Sequence, residues 1–258
     1  MSVLDTEYVL RILLVFVRIG GLLMAAPVFG HQMIPVRVRV LAGVLLAYSV
    51  AGFATGPLPE YVTHNVGFVL VLLVEAGTGL LLGFTARLLF WAIDFAGSIM
   101  GFQMALSLAQ TYNPMSGTSS NPLGRILSYT ALLAFLLADG HHHLLRALVR
   151  SFEVIPLGAA PLAAGGPLLL EYVGAFFRIA LRLSAPFLVV LFMSDVALGI
   201  FARVIPQANL FALSLPVKLL VGLGVFFVFM QGLMPSLALL FDRIDRMVLE
   251  MIEVLAAA

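Results

Sequence analysis

Long apolar runs, separated by short breaks rich in proline and glycine, dominate the chain. Six regions approach or exceed the ~20 mostly apolar residues that a membrane span needs: 8–29, 38–54, 66–93, 123–138, 168–193 and 210–233. Between them lie "FGHQMIPVR" (29–37), "GFATGPLPE" (52–60), "TYNPMSGTSSNP" (111–122) and "IPLGAAPLAAGGP" (155–167). Proline lacks the amide proton and glycine frees the backbone, so helices are expected to stop in these breaks. No alternation of period two competes over useful lengths. The expected fold class is all-α: a polytopic membrane protein with about six hydrophobic helical segments and shorter amphipathic helices.

Three weaker segments complete the pattern. Residues 95–110, "FAGSIMGFQMALSLAQ", suit a helix but are too polar for a lipid-exposed span. Residues 141–154 predict a short amphipathic helix with Arg146 and Arg150 one turn apart. In the tail 236–255, Leu240, Ile244, Met247 and Met251 recur at helical spacing with charges opposite, the pattern of an interfacial or partner-packing helix.

Composition sharpens the class. The 258 residues are 62% hydrophobic and 10% charged, with a mean hydropathy of +1.12. A soluble domain carries roughly 25% charged residues, so this chain cannot supply a polar skin in water. The net charge of +1 gives no basic bias toward nucleic acid, and the absence of cysteine excludes disulfides, thiolate metal sites and cysteine nucleophiles. Asp5 and Glu7 stand where a signal peptide wants positive charge, and Arg11 and Arg18 interrupt its apolar run, so the first segment is expected to be retained. Arg37 and Arg39 favour an inward first loop, but Arg125, Arg146 and Arg150 flank a later segment on both sides, and no orientation follows.

Charges fall inside the apolar runs at Arg11, Arg18, Glu75, Arg87, Arg178, Arg182 and Lys218. A central Arg or Lys costs at least ~2.5–3.5 kcal/mol on insertion scales and usually faces protein or water. Snorkelling from a helix end fits Arg11 and Arg87. It fits Arg178 and Arg182 poorly, because both lie mid-run and one turn apart on one face. Much of the surface is therefore expected to be covered by other polypeptides. "GLLLG" (Gly79, Gly83) and "GSIMG" (Gly97, Gly101) both match the pattern that lets helix backbones approach.

A polar stripe then leads into a polar loop. Gln103, Ser107 and Gln110 share one helix face beside Met100 and Met104. The face runs into Thr111, Asn113, Ser116, Thr118, Ser119, Ser120 and Asn121, bracketed by Pro114 and Pro122. Two readings stay open: interhelical hydrogen bonding with an ordinary connection, or a pore-facing stripe with a loop that plugs the lumen, sealed by flexible methionines. The stretch "DGHHHLL" (139–145) is the most metal-like in the chain. Consecutive helical residues are about 100° apart, so His141, His142 and His143 cannot all face one ion. No metal, cofactor or catalytic residue is expected, and Asp139 is expected to cap the helix that follows.

Four stretches resemble the FliR family, the flagellar members of the FliR/SctT export-gate proteins. They are "GFQMALSLAQTYNP" (101–114), "DGHHHLLRALVRSFEVIPLG" (139–158), "SDVALGIFARVIPQANLFALSLPVKLLVGL" (194–223) and "RIGGLLMAAPVFGHQMIPVRVR" (18–39). They cover most of the chain in the family's order. Ala105 stands where that family commonly has glycine, Asn113 where it has aspartate before proline, and Asp139 where it has asparagine. The resemblance implies a non-catalytic component of the flagellar type III export gate in the bacterial inner membrane and flagellar basal body. Kinked helices would pack there with FliP-like, FliQ-like and FlhB-like proteins, and unfolded flagellar subunits would pass through. It further implies a FliP-like portion over 1–194 and a FliQ-like hairpin over 195–258.

By the same resemblance Gln103, Met104, Ser107, Gln110, Thr111, Asn113, Pro114, Ser116 and Asn121 would form the pore-facing helix end and plug. Asp195, Arg203, Pro206, Gln207, Pro216 and Lys218, with Arg178, Arg182, Gly97 and Gly101, are expected at subunit contacts. The alternative is a proton-coupled secondary transporter of a small solute using Glu75, Asp94 or Asp195, against which no inverted repeat is visible.

Overall fold

The computed structural model describes residues 6–30, 34–54, 58, 65–106, 121–205 and 209–257. Its helices are α1 (Thr6–Ala25), α2 (Val36–Val50), α3 (Asn65–Gln103), α4 (Pro122–Leu137), α5 (Gly140–Val154), α6 (Gly165–Val204) and α7 (Leu210–Ala257), with a 3-10 turn at Leu162–Ala164. No strand occurs among the described residues, so the all-α expectation holds. Several helices end next to proline or glycine, but α3 stops at Gln103, short of the 111–122 break, where Ala105 is left-handed. Pro186, Pro216 and Pro235, by contrast, lie inside α6 and α7, and such prolines are tolerated in apolar helices.

Element lengths depart from the six-segment expectation. The apolar run 66–93 and the weaker segment 95–110 are expected as separate pieces, yet 65–103 is one helix of 39 residues. The run 210–233 and the tail likewise fuse into one of 48. Among the described residues four helices are long and apolar enough to cross a membrane, and α4 and α5, bent by 68° at their junction, would make a fifth span if taken together. At 1.5 Å per residue, α3, α6 and α7 run roughly 58, 60 and 72 Å along their axes. A bilayer's hydrocarbon core is only about 30 Å thick.

The chain packs as two compact units built from interleaved segments. The first comprises residues 1–89, 136–174 and 241–258. Here α1 crosses α3 at very short range: a Cβ on Gly79 would collide with the Arg18 carbonyl, and one on Gly83 would lie 2.7 Å from the Leu22 carbonyl. The "GLLLG" pattern thus serves a contact within the chain. At this crossing Arg18 and Glu75 form a fully buried pair. Arg18 Nε donates to Glu75 Oε2 at 2.6 Å and Nη2 to Oε1 at 3.0 Å. The remaining donors reach the carbonyls of Ser151 (3.0 Å) and Ile155 (3.3 Å), the Phe152 ring lies 4.5 Å from the guanidinium carbon, and Gly158 N donates to Glu75 Oε1 at 2.7 Å. Every part of both charged groups that could be left dry and unsatisfied has a partner, which is what a buried pair requires.

The amphipathic tail also finds its cover in this unit. Ile244, Met247, Val248, Met251 and Leu255 are buried, and the Tyr172 hydroxyl donates to the Met247 carbonyl at 2.9 Å. The face expected at a membrane surface or on a partner therefore packs within its own chain.

The second unit comprises residues 90–135 and 175–240. Phe90 meets Phe135 edge to face at 5.3 Å, Phe95 stacks with Phe176, and Phe187 meets Phe226. Its α6 and α7 surfaces are mostly bare. Of their most apolar stretches only 11% and 6% of residues are buried, against 39% for α1.

Candidate functional site

The second unit holds the residues that the sequence singles out, gathered around the end of α3. The close of that helix is a Schellman motif: Leu106 N donates to the Gly101 carbonyl at 3.0 Å and Ala105 N to the Phe102 carbonyl at 3.0 Å. This pattern needs a left-handed residue at the position after the cap, and Ala105 takes it with φ 59°. A methyl group makes that conformation unfavourable. The alanine therefore holds a backbone shape that glycine adopts without strain. Asp139 (φ 55°) and Gly158 (φ 76°) are the other left-handed residues among those described.

Two residues at this end touch α6 and α7. Gln103 Nε2 reaches Asp195 Oδ2 at 3.5 Å, and Asp195 Oδ1 pairs with Lys218 Nζ at 2.6 Å, both side chains partly buried. One turn along α7 from Lys218, Gly222 faces Met104. A Cβ there would lie 2.5 Å from Met104 Cγ and 2.6 Å from Sδ. Met104 itself is 2% exposed.

Asn121 braces the other side of the break. Its amide donates to the carbonyls of Gly97 (2.8 Å) and Ser98 (3.2 Å), and its Oδ1 accepts from Leu123 N at 3.0 Å. It thereby caps α4, whose first residue, Pro122, needs no hydrogen bond. Gly97 and Gly101 make room for this: a Cβ on Gly101 would collide with the Asn121 amide, and one on Gly97 would lie 2.5 Å from Gly124 Cα. The close approach of both glycines is made within the chain.

Gln103, Met104, Asn121, Asp195 and Lys218 thus come into one region of this unit, although the sequence divides them between pore and subunit contacts. Arg178, Arg182, Arg203 and Pro216 are exposed, and the three arginines make no hydrogen bond or ion pair among the described residues. Ser107, Gln110, Thr111, Asn113, Pro114, Ser116, Pro206 and Gln207 lie outside the described residues. Sequence reasoning passed over Gly222; its spacing of four from the lone lysine was the available signal.

The acids named for proton coupling all have partners. Glu75 is held by Arg18 and Gly158, Asp195 by Lys218, and Asp94 Oδ1 accepts from Ser128 Oγ at 3.0 Å. The histidines divide as helical geometry requires. His143 turns to Asp245 at 3.6 Å, while Asp139, His141 and His142 bring one potential ligand atom each within 4.8 Å of one another. These three are the described residues that could hold a metal. Asp139 precedes α5 as expected but makes no side-chain cap bond; its carboxylate lies 3.2 Å from His142 Nδ1. Its left-handed backbone turns the carboxylate away from the helix amides, and its carbonyl accepts from His142 N instead.

The family of bacterial export proteins, family 1, matches residues 9–244. The chain belongs to the FliR family of bacterial export proteins. It is 35% identical over 214 residues to the flagellar biosynthetic protein FliR of Bacillus subtilis (strain 168), spanning 81% of this chain and 82% of that protein. The FliR of Escherichia coli (strain K12) is 31% identical over 222 residues, 86% of this chain and 83% of its own length. That of Caulobacter vibrioides is 30% identical over 224 residues, 85% and 88% of the two chains. This FliR family member is a component of the flagellar protein-export apparatus.

Proposed function

We propose that the chain is a structural, non-catalytic subunit of the flagellar export gate in the bacterial inner membrane. It lines part of the channel for unfolded flagellar subunits together with FliP-like, FliQ-like and FlhB-like proteins. In this reading Gln103 through Asn121, within about 101–122, form the pore-facing helix end and plug-like loop. Residues 1–194 are the FliP-like portion and 195–258 the FliQ-like hairpin, while Arg178, Arg182, Arg203, Pro206, Gln207 and Pro216 meet neighbouring subunits.

One observation carries the reading. Helices α3, α6 and α7 are roughly twice as long as a bilayer core is thick. Exposed Phe192, Met193, Val196 and Ile200 on α6 continue beyond Arg178 and Arg182, which are themselves exposed. Lipid cannot cover so long an apolar helix, and an exposed guanidinium in lipid costs at least ~2.5–3.5 kcal/mol. Neighbouring polypeptides answer both demands.

The test is co-purification from mild detergent with FliP-like and FliQ-like proteins. A stable heteromer that loosens in Arg178→Glu/Arg182→Glu supports the reading. A solitary protein that is stable in lipid, with export unaffected by its loss, overturns it.

A further inference from the structure

The proposed function assigns Gly222 no role, yet α7 presents it to Met104 at the end of α3. Three observations converge on it. First, the glycine is buried, and the space where its side chain would stand is filled by Met104 through Cγ, Sδ and Cε, all within 2.7 Å of a built Cβ. Second, Lys218 lies four residues earlier on the same face of α7 and pairs with Asp195, whose second carboxylate oxygen meets Gln103. Third, Gln103 and Met104 are consecutive, and Met104 is the residue at which α3 gives way to the left-handed Ala105. Two successive turns of α7 therefore meet the end of α3, Lys218 indirectly through Asp195 of α6 and Gly222 directly through Met104.

We infer that Gly222 is a positioning residue of the export gate: the hole it leaves on α7 seats Met104 and fixes where α3 ends and the segment toward Asn121 departs. This inference rests on the gate reading above. A methionine is flexible, so it can leave such a hole and return to it, whereas a backbone contact could not. The ion pair beside it sets the register along α7, since a shift of one turn would carry Lys218 away from Asp195. A larger residue at 222 expels Met104, and a smaller one at 104 leaves the hole empty; either displaces the end of α3 in the closed gate.

The test uses size exchange in the full chain, in cells and in the purified gate complex. Gly222→Ala and Met104→Ala are each compared with the double variant, in which the alanine at 222 occupies the space that Met104 has vacated. The readouts are leakage of small solutes across the inner membrane, secretion of flagellar subunits and the yield of the complex. The expected result is a several-fold rise in leakage in each single variant at normal complex yield, and a return toward the parental level in the double. Should Gly222→Ala block assembly, recovery of assembly in the double supports the seat equally. Single effects that add in the double, or single variants that leak no more than the parent, overturn the inference. Deleting residues 111–120 in parallel, with Asn121 kept, separates the two levels. A leaky deletion with tight single variants removes the seat and leaves the gate standing, whereas a tight deletion with normal secretion removes both.

Discussion

Ala105 offers a perturbation whose sign is fixed by geometry. It sits at φ 59°, where the methyl group of an L-residue costs roughly 1–2 kcal/mol. Glycine removes that cost but surrenders about 0.5–1 kcal/mol through its greater freedom in the unfolded chain. Ala105→Gly should therefore tighten the Schellman cap by about 0.5–1 kcal/mol after both effects, a two- to five-fold change in a local opening equilibrium. The cap's own hydrogen bonds, from Ala105 N and Leu106 N, report that opening directly. Hydrogen exchange followed by mass spectrometry on peptides covering 101–106, in the assembled complex, should slow by this factor. Ala105→Val should accelerate it, since a branched Cβ fits the left-handed region worse. Equal or faster exchange in the glycine variant, with the complex intact, would refute the claim that this cap is strained by its alanine.

The Arg18–Glu75 pair should behave as a dry clasp. Glu75→Leu strands a fully buried guanidinium, and breaking one side of such a pair costs about 3–5 kcal/mol. A second change, Arg18→Met, should recover most of that loss, as read by thermal unfolding and yield of the purified protein; a loss below about 1 kcal/mol in the single variant contradicts the clasp. Asn121→Ala removes two amide donors and the acceptor of Leu123 N. Loss of the cap alone should destabilise the start of α4 by about 1 kcal/mol. It should also make Gly101→Ala tolerable, because the colliding amide is gone; if Gly101→Ala is equally harmful in both backgrounds, the packing argument fails.

Much of this architecture was legible in the chain, for reasons that particular residues display. Helix existence followed from apolar runs, and breaks from clustered proline and glycine. Helix length did not, because Pro235 falls between the run 210–233 and the tail, yet lies within the continuous α7. Hydropathy alone separated 66–93 from 95–110, since Asp94 and the polar groups beyond it lower the average without breaking backbone hydrogen bonds. The mid-run charges were visible, but pairing Arg18 with Glu75 needs knowledge of which helices cross, and they are 57 residues apart. The crossing itself was signalled by Gly79 and Gly83. The tail's apolar face was read correctly as a face and assigned outward, because period alone does not say which surface covers it. At the end of α3 and the start of α4, Gln103, Met104 and Asn121 stood out by polarity and motif. Gly222 did not, since a glycine among apolar residues has no chemistry of its own until Met104 is seen opposite. The departures at 105 and 139 carried more information than expected. Both fall on left-handed residues, a backbone that glycine and asparagine accept most readily.

The central claim, that this FliR family member closes a protein-conducting channel with the segment leaving α3, is tested most directly by deleting residues 111–120, which keeps the Asn121 cap of α4. Small-solute leakage of the inner membrane would then be measured in cells that still assemble the complex at normal yield. The account predicts a membrane that becomes leaky while the complex remains intact. Unchanged permeability and unchanged secretion, with the deleted protein present in the complex, would contradict it.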